Sequence, residues 1–222
     1  MKLSVETVNL LKNFATINAS IFISKGNRIA TKSLANNIAA YAEVAEEFEV
    51  EFGIYEVSGF LSVYGMMTDP ELNFKEGYVE IVSGTSKCHY NYCAPDIVIR
   101  PKNCDGVKLP SEDVKFELTE GNLDKIIKIS NTLSLEDICI HNVEGRLLLT
   151  VIDSRSSGSN RFSIDVGEST HENSFEFFIK AGNLKIEKKD NYSITISQKG
   201  ITEFKGTKCT YNITLEKKGQ KW

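Results

Sequence analysis

The order of apolar and polar residues predicts an α+β protein made of two like domains, each combining antiparallel sheets with two helices. Three observations carry this expectation. Period-two alternation dominates, as in Phe48, Val50, Phe52 and Ile54 set between Glu47, Glu49, Glu51 and Gly53; such half-wet strands belong to antiparallel sheets rather than buried parallel ones. Helical periodicity is confined to a few short segments. Those segments and the strands after them recur in the same order at an offset of roughly 115 to 125 residues, as a duplicated domain would give.

The elements follow in order. Residues 4–17 carry Leu10, Leu11, Phe14 and Ile17 on one helical stripe, with Ser4 placed to cap the N-terminus. Residues 119–133 repeat the pattern with Leu123, Ile126, Ile127, Ser130 and Leu133, so that Leu10-Leu11-Lys12 corresponds to Ile126-Ile127-Lys128. The apolar triplet Ile21-Phe22-Ile23 answers to Ile138-Cys139-Ile140, Phe52-Gly53-Ile54 to Phe177-Phe178-Ile179, and Lys87-Cys88-His89-Tyr90-Asn91 to Lys208-Cys209-Thr210-Tyr211-Asn212. Two weaker helical segments, 58–67 and 181–188, each contain a glycine. Alternation also marks strands at 162–166, 175–179, 194–196 and 211–215. Residues 94–110 hold three of the four prolines (Pro95, Pro101, Pro110) and read as an extended connector. The expected domains are therefore 1–110, including the connector, and 111–222.

The 222 residues include 41% hydrophobic and 25% charged side chains, a globular composition. With 30 acidic against 26 basic residues the net charge is −4, which excludes nucleic-acid binding by bulk positive charge but leaves room for a local basic patch. The apolar run at 147–152 suits one buried strand and is far too short for a membrane. Lys2, Glu6 and Lys12 interrupt the start, so a soluble intracellular protein is expected. Five cysteines at irregular spacing read as reduced thiols. The Asn-x-Ser/Thr triplets at Asn18, Asn191 and Asn212 read as chance matches to a glycosylation signal.

Cys88, His89, Cys93 and Cys104 do not make a zinc knuckle, because neighbours on a strand point to opposite faces. Cys88 or Cys139 beside His141 or His171 lacks an oriented third group for a hydrolase. Residues 154–159 form a polar loop without a phosphate-cradling pattern. No metal, cofactor or enzymatic activity is expected.

The opening Met1-Lys2-Leu3-Ser4, followed by Leu10-Leu11-Lys12-Asn13-Phe14-Ala15-Thr16-Ile17-Asn18, resembles the start of the sliding clamps of T-even-type bacteriophages. The likeness continues through Ile54-Tyr55, Gly59-Phe60-Leu61, Glu172-Asn173-Ser174-Phe175, Asn183-Leu184-Lys185 and Phe204-Lys205-Gly206. It spans nearly the whole chain; the connector, 154–159 and the C-terminal tail depart from it.

That resemblance implies the DNA-clamp fold, with sheets outside and helices inside, and a non-enzymatic processivity factor. Such proteins form head-to-tail homotrimeric rings around double-stranded DNA without sequence specificity. A clamp-loader ATPase opens the ring, the replicative DNA polymerase docks by its C-terminal tail, and a sigma-like factor recruits the clamp to late transcription, all in the cytoplasm of the infected bacterial host. The alternative kept open is a β-rich phage interaction or structural protein that does not encircle DNA. Lysines on a lone amphipathic helix usually just solvate it; the repeat and the resemblance together assign Lys12, Lys125 and Lys128, with Lys2 nearby, to the DNA. Lys185, Lys188 and Lys189 are weaker candidates. By resemblance the subunit joint pairs the strands at 87–93 and 160–166, bringing Tyr90 and Tyr92 toward Phe162, Ile164 and Val166. The partner-peptide pocket is expected at Ile97, Val98, Ile99, Val107 and Leu109.

Overall fold

Ser4 starts the first helix as its spacing predicts: its side-chain oxygen accepts the Thr7 N–H at 3.1 Å, and α1 (Val5–Ile17) follows. The buried face of α1 is Thr7, Leu10, Leu11, Phe14 and Ile17. The computed structural model describes residues 1–156, 158–217, 221 and 222, and the chain divides into two units, Met1–Gly106 and Val107–Trp222.

In the first unit, β1 (Ile21–Ile23) leads into β2 (Gly26–Lys32), β3 (Ile38–Phe48) and β4 (Phe52–Ile54). All pairings here are antiparallel: β1 with β4, and β2 with β3. Helix α2 (Val57–Met66) then precedes the meander β5 (Glu71–Phe74), β6 (Tyr78–Ser83) and β7 (Ser86–Asn91), in which β7 is an edge. Leu11, Ile21, Phe48, Phe52, Val57, Phe60 and Leu72 meet in its core.

The second unit runs β8 (Val114–Leu118), α3 (Glu120–Leu133), β9 (Asp137–Val143), β10 (Arg146–Ile152), β11 (Phe162–Glu168), β12 (Glu176–Lys180), β13 (Tyr192–Ser197), β14 (Ile201–Lys205) and β15 (Cys209–Thr214). Thr119 caps α3 by accepting the Asn122 N–H at 3.3 Å. One antiparallel sheet has the order β11-β10-β9-β12, and a second runs β8-β13-β14-β15. Leu123 and Ile126 pack with Ile138, Ile140, Leu149 and Ile179.

The repeat read from the sequence appears in the register. Ile21 faces Ile54 and Ile23 faces Phe52; correspondingly Ile138 faces Ile179 and Ile140 faces Phe177. Strand β8 pairs β13 just before α3. Before α1, Met1 does the same service, its carbonyl accepting the Leu72 N–H at 2.7 Å and its amino group donating to Leu72 O at 2.9 Å.

Two expectations need correction. The helix at 181–188 does not form: a 3-10 turn at Ala181–Asn183 is followed by irregular chain, so α3 is the one α-helix among the described residues of the second unit. Leu184 and Ile186 are both buried while Lys185 between them is exposed, the alternation of extended chain, and Gly182 adds its helix penalty. Along α3, Ile127 is half-buried and Leu133 is 38% exposed, so the apolar stripe is narrower than expected. The loop expected at 154–159 is irregular chain where it is described; Ser157 lies outside the described residues. No helix among the described residues is long and apolar enough to cross a membrane.

Glu46 of β3 joins sheet to helix. Its carboxylate, 8% exposed, accepts the Ser4 N–H and the Thr7 hydroxyl at the positive end of α1. Burial pushes this carboxyl up, but the hydrogen bonds outweigh it and hold it below its ordinary value of 4.5. The resulting stabilisation is present above that value and is lost as pH falls through the depressed one. Glu46→Gln is expected to cost about 1–3 kcal/mol at neutral pH. In denaturant titrations across pH the gap between variant and parent should close on acidification.

Candidate nucleic-acid interface

Because α1 and α3 bury one stripe each, the opposite stripe of each is turned outward. On α1 it is Val5, Asn9, Lys12 and Thr16, and on α3 Gly121, Lys125, Lys128 and Thr132; all eight are exposed. The two sets fall at one constant offset in the repeat, so Lys12 and Lys128 occupy the same helical position. Helix α2 turns out Ser58, Ser62 and Met66 and carries no charged residue.

The four lysines differ in electrostatic condition. Lys12 and Lys125 have no carboxylate within ion-pair distance among the described residues. Lys128 Nζ lies 2.6 Å from Asp124, one turn back on α3, with its own side chain 73% exposed. Lys2 Nζ is 2.5 Å from Asp69 and 3.7 Å from Glu71. Its hydrogen bond to Asp69 raises its pKa, so it is charged but already partnered. Sequence reasoning grouped Lys2 with the others because Asp69 and Glu71 are remote in the chain. Nothing in the sequence reveals that pairing.

The segment in place of the fourth helix is tightly held. Tyr192 Oη donates to Glu187 O at 2.6 Å, and the Glu187 N–H donates to Tyr211 Oη at 3.1 Å. Asp190 accepts from the Thr207 N–H at 2.8 Å, and Asn191 Oδ1 accepts the first N–H of α3 at 2.8 Å. Lys188 and Lys189 are thus exposed on a fixed turn beside the start of α3.

Strands β7 and β11 are both sheet edges. Tyr90 donates to Glu56 O at 2.8 Å and sets its ring edge-on to Phe60, while the Tyr92 ring lies 5.4 Å from Phe52. Both are half-buried and lie on one face of β7 against first-unit rings. Phe162, Ile164 and Val166 are half-buried on β11.

The connector is tied along the first unit. Asn18 Nδ2 donates to Lys32 O at 2.9 Å and to Ile99 O at 3.0 Å, and Arg28 pairs with Asp105 at 2.7 Å. Val98 is buried, Ile97 and Ile99 are exposed, and Val107 and Leu109 are exposed and half-buried. A cleft of about 330 Å³ lies beside this segment, but it is lined by Phe22, Ser24, Ala30, Glu51 and residues 100–104, not by the five expected apolar residues. The Arg100 guanidinium caps the Phe22 ring at 3.6 Å.

Burial pushes Cys139 up to about 12, leaving it protonated at neutral pH, and His141 Nε2 is engaged with Thr150 Oγ1 at 2.8 Å.

Comparison with known proteins follows from this geometry. Residues 4–97 match a family model described as DNA polymerase processivity factor, and residues 115–217 match one described as gp45 sliding clamp, C terminal. The sliding clamp of Vibrio phage KVP40 is 34% identical over 226 aligned positions, covering 97% of this chain and 99% of the relative. That of Enterobacteria phage T4 is 27% identical, with 97% of each chain covered. Among solved structures, A. fulgidus PCNA bound to the C-terminal region of FEN-1 superposes with TM-score 0.70 at 11% identity, covering 96% of both chains. The DNA polymerase sliding clamp of Pseudomonas aeruginosa gives 0.66 at 10% identity, covering 96% of this chain; the chain spans 62% of that longer protein. At such identities the structures speak for the fold alone.

Proposed function

This chain belongs to the phage sliding-clamp family of DNA polymerase processivity factors, and from that premise we propose how its own residues do the work. It is a non-enzymatic clamp that holds the replicative polymerase on double-stranded DNA. The observation that carries the residue-level reading is the matched outward stripe of α1 and α3, with Lys12 and Lys128 at one repeat position and Lys125 beside them.

A clamp that slides must be linked topologically and held only lightly, because each phosphate contact adds salt-dependent affinity and friction. An acidic body with a few helix lysines meets that need, since contacts that only position the duplex carry no sequence information. In this reading Lys12, Lys125 and Lys128 touch phosphates transiently. Lys2 contributes less, being held by Asp69 and Glu71. Replacing Lys12, Lys125 and Lys128 together with glutamate should leave the thermal unfolding profile unchanged and sharply reduce processive synthesis at moderate salt, whereas Lys2→Ala should do little. Normal processivity of the triple variant would refute the assignment.

The ring in this reading is a homotrimer in which the β7 edge of one subunit pairs with the β11 edge of the next, as exposed edges favour. Phe162 and Ile164 lie on one side of that seam, and Tyr90 and Tyr92 on the other. A clamp-loader ATPase would open the seam, and a sigma-like late-transcription factor would use the closed ring, in the cytoplasm of the infected bacterial host. Phe162→Asp should yield folded monomers by light scattering at micromolar concentration. Tyr92→Asp should do the same from the β7 side. A trimeric Phe162→Asp variant with unaltered melting would exclude this joint.

For the polymerase C-terminal tail we place the docking side chains at Ile97 and Ile99, exposed on either side of buried Val98, together with Val107 and Leu109. Ile97→Asp with Ile99→Asp should weaken binding of a labelled tail peptide about tenfold or more without lowering stability. Unchanged affinity would move the site elsewhere, the cleft under Arg100 being the next to test.

A further inference from the structure

The last two residues of the sequence lie on the free edge of β12. Lys221 and Glu176 form an antiparallel bridge in which each N–H donates to the other's carbonyl, at 2.9 and 3.0 Å, and Lys221 Nζ stands 3.5 Å from the Glu176 carboxylate. The bridge delivers the Trp222 ring onto three others: His171 at 5.0 Å, Phe177 at 5.6 Å and Phe175 at 5.9 Å. These are offset and edge arrangements of the favourable kind.

The cradle is built by groups other than the segment it holds. Asn142 gathers the loop before β12: its Nδ2 donates to His171 O at 3.1 Å and Asn173 O at 3.0 Å, and its Oδ1 accepts the Phe175 N–H at 2.9 Å. His171 Nε2 is in turn bonded to Asp113 O. Phe175 and Phe177 are 2% and 1% exposed, whereas Trp222 remains 52% exposed. A preorganised apolar floor is thus covered by a ring that is itself half in water, next to one backbone bridge and one exposed ion pair among the described residues. An occupant so lightly held can exchange with a better one.

We propose that the β12 edge and its aromatic floor form a peptide-docking site, which receives an extended segment of a partner protein carrying an aromatic residue directly after a basic one. Residues 221–222 occupy the site in cis and display the chemistry it selects. The edge supplies main-chain pairing, the ring floor selects the aromatic side chain, and Glu176 selects the preceding cation. This is a different surface from the connector and does not rest on the docking residues proposed there.

Trp222 is the one tryptophan in the chain, which makes the test direct. The probe is a fluorescein-labelled peptide, Gly-Gln-Lys-Trp, titrated by anisotropy against the full-length chain and its Trp222→Ala variant. The variant should bind about tenfold tighter or better, because in the unaltered chain the tethered segment competes at a millimolar effective concentration. Gly-Gln-Lys-Ala should not bind. Adding Glu176→Lys to the variant should reverse the preference toward Gly-Gln-Glu-Trp. On the unaltered chain, millimolar unlabelled Gly-Gln-Lys-Phe should red-shift the Trp222 emission as the ring is displaced into water. Equal affinity for variant and unaltered chain, binding indifferent to the aromatic residue or the charge exchange, or an emission maximum unmoved by the competing peptide would each overturn the proposal.

Discussion

Burial of Leu10, Leu11 and Phe14 of α1, and of Leu123 and Ile126 of α3, against apolar strands fixes the rotation of both helices about their axes. A helix that packs by one stripe has no freedom to choose what it turns outward. Lys12 and Lys128 therefore share an orientation because Leu10 and Ile126 share a burial. The strand pairs beneath show the same constraint: Ile21 opposite Ile54 in one unit is Ile138 opposite Ile179 in the other. A packing solution used twice leaves each helix, within its own unit, turning the equivalent lysine to solvent.

The outward charge is restrained. Lys128 shares its proton donors with Asp124, and Lys2 is committed to Asp69 and Glu71, leaving Lys12 and Lys125 as the unpaired cations of the four. In water such exposed pairs contribute little to stability. They and the net charge of −4 lower the positive field around the helix lysines.

Edges are the other recurring theme. Strand β7, strand β11 and strand β12 each present unpaired backbone in their own units, and each is managed differently. On β7, half-buried Tyr90 and Tyr92 set their rings against Phe60 and Phe52. Strand β11 offers half-buried Phe162, Ile164 and Val166. Strand β12 is partly covered by Glu216, whose N–H donates to Phe178 O at 2.8 Å, and by Lys221. These differences arise from which side chains reach back into the core, and the fold presents β7 and β11 as backbone ladders more than as apolar faces.

The period-two runs, the helix stripes and the order of the repeat were legible because strands and helices impose their periods on any sequence that buries one face. For the same reason the sequence by itself determined α1, α3, the duplicated strand pairs and the outward position of Lys12, Lys125 and Lys128. What it could not determine were contacts between residues far apart in the chain. Asp69 beside Lys2, Glu46 at the start of α1 and Glu56 under the Tyr90 hydroxyl have no local signature. The missing fourth helix belongs to this class as well: its stretch was ambiguous in propensity, and the hydroxyls of Tyr192 and Tyr211 captured its backbone as a turn. Alternation says that two sides of a strand differ; only tertiary packing decides which side meets the core, because that depends on what lies across from it.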